Sequence, residues 1–383
     1  MKRSWFANDD MPANILSRLS AKTLHCLKLV SKEWLNLISE RSFVSLQLKP
    51  KEPLSGFFFQ EVFQWTDDEH AEIISYIPVD VERVNVRQTV LDFLPDNVVI
   101  LSLNNGLLCC RSCFPNSQPM LYVCNPLNKQ WRSLLWPNLP KDCRVALAFD
   151  PFRDPIDIST DFNLVAVSGV LTDDEEYHFF FDIYSSQVRS WRRSKECFRC
   201  NHDLTKTGGI LAEGILYWLT DGYGVLMFDP QNELSWLIEG PLPATEFISI
   251  PEMCIGESEG KLCYVIISEH GLQLWILKDQ FAAQWDLKFY ASLDELEREN
   301  SDVLYKIEEK VRSQLSRDTF SWMDPMSFKD GMLLLRVSTA VYLYQFDTRM
   351  MKKLCDASTL GPKAMFSPIV VPYTMSLVPV EQA

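Results

Sequence analysis

The sharpest chemical signature in the chain is Gly256-Glu257-Ser258-Glu259-Gly260, which has the G-x-S-x-G spacing of a nucleophile elbow. Such an elbow needs a strand before the serine and a helix after it, so that the hydroxyl sits on a strained turn. Here Lys261 to Ile267 reads as a strand, so a hairpin turn is predicted and no catalytic role for Ser258. Two cysteine pairs, Cys110-Arg-Ser-Cys113 and Cys197-Phe-Arg-Cys200 with His202 nearby, have the spacing of half a zinc site. They lie far apart, and the first overlaps a strand, where alternate residues point to opposite faces. No metal is expected. His25, His70, His178, His202 and His270 are scattered without ligand spacing. The glycines occur as single turns and build no phosphate cradle, so neither a cofactor nor a catalytic residue is expected. Asp173-Asp174-Glu175-Glu176 reads as a solvated loop tip.

Composition narrows the field further. A formal charge of −14 over 383 residues argues against a nucleic-acid partner, because phosphate binding is built from clustered Lys and Arg. Met1 to Asp10 has no apolar run after its basic pair, so no secretory leader is expected. No segment reaches the roughly 18 apolar residues of a membrane span. Eleven cysteines is an odd number, and Cys109, Cys110, Cys124 and Cys263 sit in apolar runs. Reduced, buried thiols are therefore expected, as in an intracellular protein.

A repeated unit organises most of the length. Its clearest copy runs from Gly209 to Ile238: Ile215-Leu216-Tyr217-Trp218-Leu219, a turn at Asp221-Gly222, Val225-Leu226-Met227-Phe228-Asp229, a second turn, then Ser235-Trp236-Leu237-Ile238. Fourth-strand tryptophans at Trp131, Trp191, Trp236 and Trp285 fall at steps of 60, 45 and 49 residues. These suit four-stranded propeller blades of the kelch kind, and the tryptophans are expected in the blade cores. Five visible units plus early strands at Gly56 to Phe63 and Ile73 to Val79, with an acidic turn over 67–70, predict about six blades. The run Ile369 to Leu377 would return to close the ring against the first. The rival, a two-sheet sandwich, is disfavoured by the repeat phase. One interruption, Ala291 to Arg317, carries Leu304, Ile307, Val311 and Leu315 on a helical stripe that Ser301 or Asp302 can cap.

Ahead of the repeats lies a different texture. Pro12 suits an opening helical turn, and Met11, Ile15 and Leu19 recur on one face. Leu24, Leu27 and Val30 mark a second helix, and Ser31 can cap a third that buries Trp34, Leu37 and Ile38. About forty residues bury too little core to stand alone. Lys49-Pro50-Lys51-Glu52-Pro53 reads as a polar connector. The expected division is a helical module over 1–48, a connector over 49–54 and a mainly β propeller domain over 55–383.

Ile15-Leu16-Ser17-Arg18-Leu19, Ala21-Lys22-Thr23-Leu24 and Val30-Ser31-Lys32-Glu33-Trp34 resemble the F-box in the form common in plants. The family's Leu-Pro opening is replaced by Ala7-Asn8. The later segments Asn105-Gly106-Leu107-Leu108-Cys109, Asn125-Pro126-Leu127-Asn128-Lys129-Gln130-Trp131 and Pro372-Tyr373 to Leu377 resemble the F-box-associated, kelch-like domain of the same plant proteins. The resemblance implies a substrate-recognition subunit of a Skp–cullin–F-box ubiquitin ligase, with no bond chemistry of its own. It implies docking on the Skp adaptor through Met11, Pro12, Ile15, Leu16, Leu19, Leu24 and Val30, with Trp34 holding the third helix. The propeller would hold an unidentified target protein, and the setting would be nucleus, cytoplasm or both. The competing reading is a scaffold or decoy outside any ligase. A kelch-type oxidase would need metal ligands on the propeller axis.

Overall fold

The computed structural model describes residues 10–49, 52–63, 70–71, 74–79, 86–88, 90–114, 116–137, 139–152, 159–312, 322–361 and 368–380. The leading segment forms α1 (Asp10–Leu16), α2 (Ala21–Leu27), α3 (Lys32–Ser39) and α4 (Arg41–Leu48), one helix more than expected. Ser20 and Ser31 start α2 and α3, their hydroxyls accepting from the N–H groups of Thr23 and Trp34 at 3.3 and 3.2 Å. These caps satisfy donors that a helix start leaves orphaned. Because each new helix begins at once, Leu19 and Val30 lie in turns after α1 and α2 and not on helical faces. Helix α4 buries Phe43, Val44 and Gln47.

Beyond the helices the chain is mainly β, in a propeller arrangement. Val98–Asn104, Leu107–Ser112, Met120–Asn125 and Gln130–Leu135 form one antiparallel sheet. Arg144–Phe149, Phe162–Leu171, Tyr177–Ser185 and Ser190–Cys200 form the next, and Ile210–Ala212, Ile215–Leu219, Val225–Asp229 and Leu234–Ile238 a third. An eight-stranded sheet follows, made of two meanders over 252–291 and 323–356. The meanders meet through a parallel contact of only two residue pairs, Gly256 with Phe328 and Glu257 with Lys329. Glycine permits this approach, since a Cβ on Gly256 would stand 2.2 Å from the Phe328 carbonyl oxygen.

The C-terminal strand Ile369–Tyr373 leaves its sequence neighbours and pairs antiparallel with Gly56–Gln60, placing Gly56 opposite Tyr373. Closure by the tail was expected and is observed. Among the described residues, the strands 98–104, 144–149, 210–212, 252–258, 323–329 and 369–373 neighbour one another in turn and back to the first. That closed ring excludes the two-sheet sandwich. It also leaves no open inner edge, which is how such folds avoid strand-edge pairing.

Side-chain amides fasten the tail. Buried Asn125 donates from Nδ2 to the carbonyls of Ser376 and Val378 at 2.9 and 2.8 Å, while its Oδ1 accepts from Leu127 N–H at 2.9 Å. Gln130 Oε1 accepts the Val380 N–H at 3.1 Å. Gly106, at φ 81°, lets the tail pass, since a Cβ there would meet Ser376 at 2.3 Å.

The fourth-strand tryptophans occupy their expected strands, but they are half-buried, each packing at the edge of a cluster. Trp236 is covered by exposed Phe281, the rings stacked at 5.5 Å. The tryptophan at a blade core is Trp218, with no exposed surface. A second strand lies between two neighbours, whereas the fourth is an outer edge, so its side chains keep one side in solvent. Ser258 ends its strand before a two-residue Glu259-Gly260 turn with both φ positive, so the expected hairpin replaces the elbow. All eleven cysteines are free thiols, and Cys109, Cys110, Cys124 and Cys263 are buried. Burial pushes the Cys263 thiol up to about 12, leaving it protonated near neutral pH. The acidic turn expected over 67–70 lies, but for His70, outside the described residues.

The interruption after Ala291 forms α5 (Leu293–Glu299) and α6 (Ile307–Arg312). Ser292 and Glu295 make a reciprocal capping box on α5. The expected cap at Ser301 or Asp302 is not used by α6. Glu297 reaches across instead, its carboxylate accepting the N–H groups of Lys306 and Ile307 at 3.1 Å each. Leu293, Leu296, Leu304, Ile307 and Val311 are all buried against strands of the eight-stranded sheet. Leu315 lies outside the described residues.

Four outcomes follow from this packing. Trp218→Ala should cost about 3–5 kcal/mol by chemical denaturation, and Trp236→Ala about 1–2 kcal/mol because its ring is only half covered. Asn125→Ala should cost roughly 1–3 kcal/mol by leaving the Ser376 carbonyl unpaired and Val378 with only its 3.4 Å bond from Asn128, and exchange of tail amides should accelerate. Replacing 292–316 with a short Gly-Ser bridge should remove at least about 5 kcal/mol by deleting five buried aliphatic side chains and uncovering their partners, read as a lowered melting temperature.

Candidate functional site

Helices α1 to α4 sit at the end of the ring where the inner strands finish. Several contacts fix them there. Leu24, Ile38, Phe43 and Val44 share one hydrophobic cluster with Leu107, Leu377, Val378 and Val380, so the module rests on the closing tail. Glu52 of the connector accepts the Ala21 N–H at 2.7 Å and Gln47 Nε2 at 2.6 Å, tying the start of α2 to the end of α4. Burial raises the Glu52 carboxyl above its ordinary range, and these two hydrogen bonds oppose the rise. His25 on α2 is held below its usual value by burial and then by the Lys28 charge, with Asn128 opposing. Asn128 belongs to the same hairpin as Asn125 and donates to the carbonyls of Leu377 and Val378 at 3.3 and 3.4 Å.

With one side of the module committed to the propeller, its other side is left apolar and bare. Ile15 is 63% exposed, Leu19 37%, Leu29 86%, Val30 65% and Leu35 44%. The docking residues expected from sequence therefore divide. Ile15, Leu19 and Val30 reach solvent. Leu16 and Leu24 are buried in the chain's own core, so a partner cannot touch them in this conformation. Trp34 is half-buried against that same cluster. Met11 and Pro12 lie in α1. Leu29 and Leu35 were not anticipated. Their exposure depends on which side of the module the propeller covers, and a helical period does not contain that.

The opposite end of the ring has a different character. The loop 172–176 joins the second and third strands of its sheet, the end away from Phe149 to Phe152. Asp173, Asp174 and Glu175 are exposed there, and the Thr172 N–H closes the turn on the Glu176 carbonyl at 2.9 Å. The strand Gln284–Ala291 also finishes at that end, and α5 starts there. The far end of α5 reaches the turn after Gln345, where Asn300 bonds the Arg349 carbonyl and the Met351 N–H at 3.2 and 2.7 Å. The pair therefore lies along the side of the eight-stranded sheet, and only its start shares the end that the helical module leaves open.

Residues 80–301 match the family described as F-box protein At3g26010-like, beta-propeller. The Arabidopsis thaliana "F-box protein At5g07610" is 25% identical over 389 residues, covering 92% of this chain and 86% of that protein. "F-box protein At5g49610" from the same plant is 29% identical over 303 residues, covering 74% and 75%. The solved TolB structure from Acinetobacter baumannii aligns with 86% of this chain and 70% of that one at 11% identity. Its TM-score of 0.42 is too low to bear on fold or function. The bare apolar face on a helical module, the closed ring of strands and the match over more than half the length agree: this chain belongs to the F-box protein At3g26010-like, beta-propeller family.

Proposed function

We propose that this protein is a substrate-recognition subunit of a Skp–cullin–F-box ubiquitin ligase, acting in nucleus, cytoplasm or both. The observation that carries the reading is the uncovered apolar face of Ile15, Leu19, Leu29, Val30 and Leu35 on a module whose other side is committed to the propeller. Five exposed aliphatic side chains within one short helical module favour a protein partner there. The relatives' names as F-box proteins support a Skp-type adaptor as that partner. The adaptor would pack on those five side chains, and Leu16 and Leu24 would support the helices from behind.

The propeller has six blades of the kelch kind on this reading, the eight-stranded sheet being two blades merged at Gly256. The module spans 1–48, the connector 49–54 and the propeller 55–383. A target would be read at the end opposite the helices, where the acidic loop and the α5–α6 pair emerge. The protein itself does no bond chemistry. It supplies proximity, holding target lysines near a ubiquitin-loaded enzyme carried by the cullin.

Replacing Ile15 and Leu19 together with Asp should leave the fold intact, because both side chains are exposed. It should weaken capture of the Skp adaptor by about a hundredfold, since two charges would be desolvated without partners. Leu24→Asp should instead unfold the module, visible by circular dichroism. Full adaptor capture by the folded Asp double variant, or none by the parent chain, would sink the ligase reading and favour a scaffold outside any ligase.

A further inference from the structure

The ring of inner strands encloses a cavity of about 690 Å³. Every strand of the ring contributes to its wall, and Leu48 and Glu52 complete it. Cavities of roughly 300–1,000 Å³ are the usual size for small ligands. Much of the wall is apolar, with Leu103, Phe149, Met326 and Val371 among its residues.

Its charge is one-sided. Glu52, Asp150, Glu257 and Glu259 line it against a single lysine, Lys329. That ammonium is already bonded to Glu257 and lies 3.9 Å from Asp330, so an entering anion meets a cation neutralised twice over. Asp150 and Glu259 are exposed and sit where the inner strands end, at the mouth.

In the same wall, Ser102, Asn104 and Thr374 each hold a buried side-chain oxygen with no hydrogen-bond partner among the described residues. Ser102 is itself only 1% exposed. Ser102 and Asn104 are two apart on one strand and so share a side. Thr374 follows the strand that neighbours theirs. Asn104 Oδ1 can only accept, the two hydroxyls can accept as well as donate, and an orphaned buried acceptor gains when a donor arrives. An ammonium group offers three N–H donors and no acceptor.

We propose that this axial cavity binds a primary ammonium group on an apolar stem. The group could be carried by a free alkylamine or by a lysine side chain of a bound polypeptide. The carboxylates at the mouth draw the cation in, the stem lies along the aliphatic wall, and the head meets the oxygens of Ser102, Asn104 and Thr374. Because Leu48 and Glu52 are part of the wall, an occupant also touches the connection between the helical module and the ring. The site is separate from the adaptor face and does not depend on the ligase reading.

Calorimetric titration of the full chain with hexylammonium chloride should give saturable binding and a raised melting temperature. Sodium hexanoate, with the same stem and the opposite charge, should give neither. Thr374→Val removes a hydroxyl at nearly constant shape, and the pair Asp150→Asn and Glu259→Gln removes charge at the surface. Both variants should melt like the parent without ligand, and each should bind hexylammonium about tenfold more weakly. Acetyl-Gly-Lys-Gly-amide separates the sources: binding tighter than hexylammonium assigns the site to a polypeptide lysine, and weaker binding to a free amine. Equal binding of hexanoate, unchanged affinity in both variants, or no heat from either amine at about 10 mM overturns the proposal.

Discussion

The closure of the ring by its own C-terminus is the constraint on which the rest of the structure depends. One strand of the first sheet comes from the far end of the chain, Ile369–Tyr373 against Gly56–Gln60. Nothing local holds it there: a connection of this sequence separation must overcome chain entropy by contacts made only when the ring is complete. Asn125 supplies part of that return. Its amide serves two tail carbonyls while its oxygen organises its own turn, so one side chain reads both the hairpin and the tail. Replaced by an apolar residue of similar size, it would leave the Ser376 carbonyl without its donor, the costly half of a lost hydrogen bond.

The helical module borrows its stability from that same tail. Four short helices of seven or eight residues are below the length at which isolated helices persist in water. Their order must come from packing. Leu24, Ile38, Phe43 and Val44 find it against Leu377, Val378 and Val380, and Glu52 adds a polar tie between α2 and α4. The apolar face that remains bare is a consequence of this arrangement. A module with apolar residues around most of its circumference can bury only one side in its own chain, and the side left over is available for a partner.

Much of this was legible in the residues, and the failures have physical causes. Alternation and turn residues located the repeated strands, and the odd run after Pro368 announced a returning tail. Ser31 was readable as a cap because capping is a local hydrogen bond. Helix α4 escaped notice because one of its buried positions is Gln47, polar in sequence, whose amide N–H donates to Glu52. The cap on α6 comes from Glu297, on a different helix. The merger of two meanders at Gly256 rests on a missing Cβ opposite a carbonyl, a contact that no hydrophobic pattern records. The docking face divided because periodicity marks which residues share a side. It does not say that the propeller takes Leu16 and Leu24 and leaves Ile15 and Leu29.

On the proposed reading, two ends of one ring have separate tasks. The end where inner strands finish is occupied by the helices and by a cavity that they help to wall. The other end carries the loop 172–176 and the start of the α5–α6 pair, and the two are held differently. The loop 172–176 is a solvated tip held by its own turn. The α5–α6 pair is anchored by five buried aliphatic residues, so its exposed Tyr305, Lys306 and Glu309 are presented on a fixed base. Reading a target asks for defined geometry, because each side chain ordered only on binding subtracts from affinity. The helical pair and the acidic tip therefore divide the work on the proposed reading. The tip attracts at a distance limited by screening, and the helices determine which surface fits.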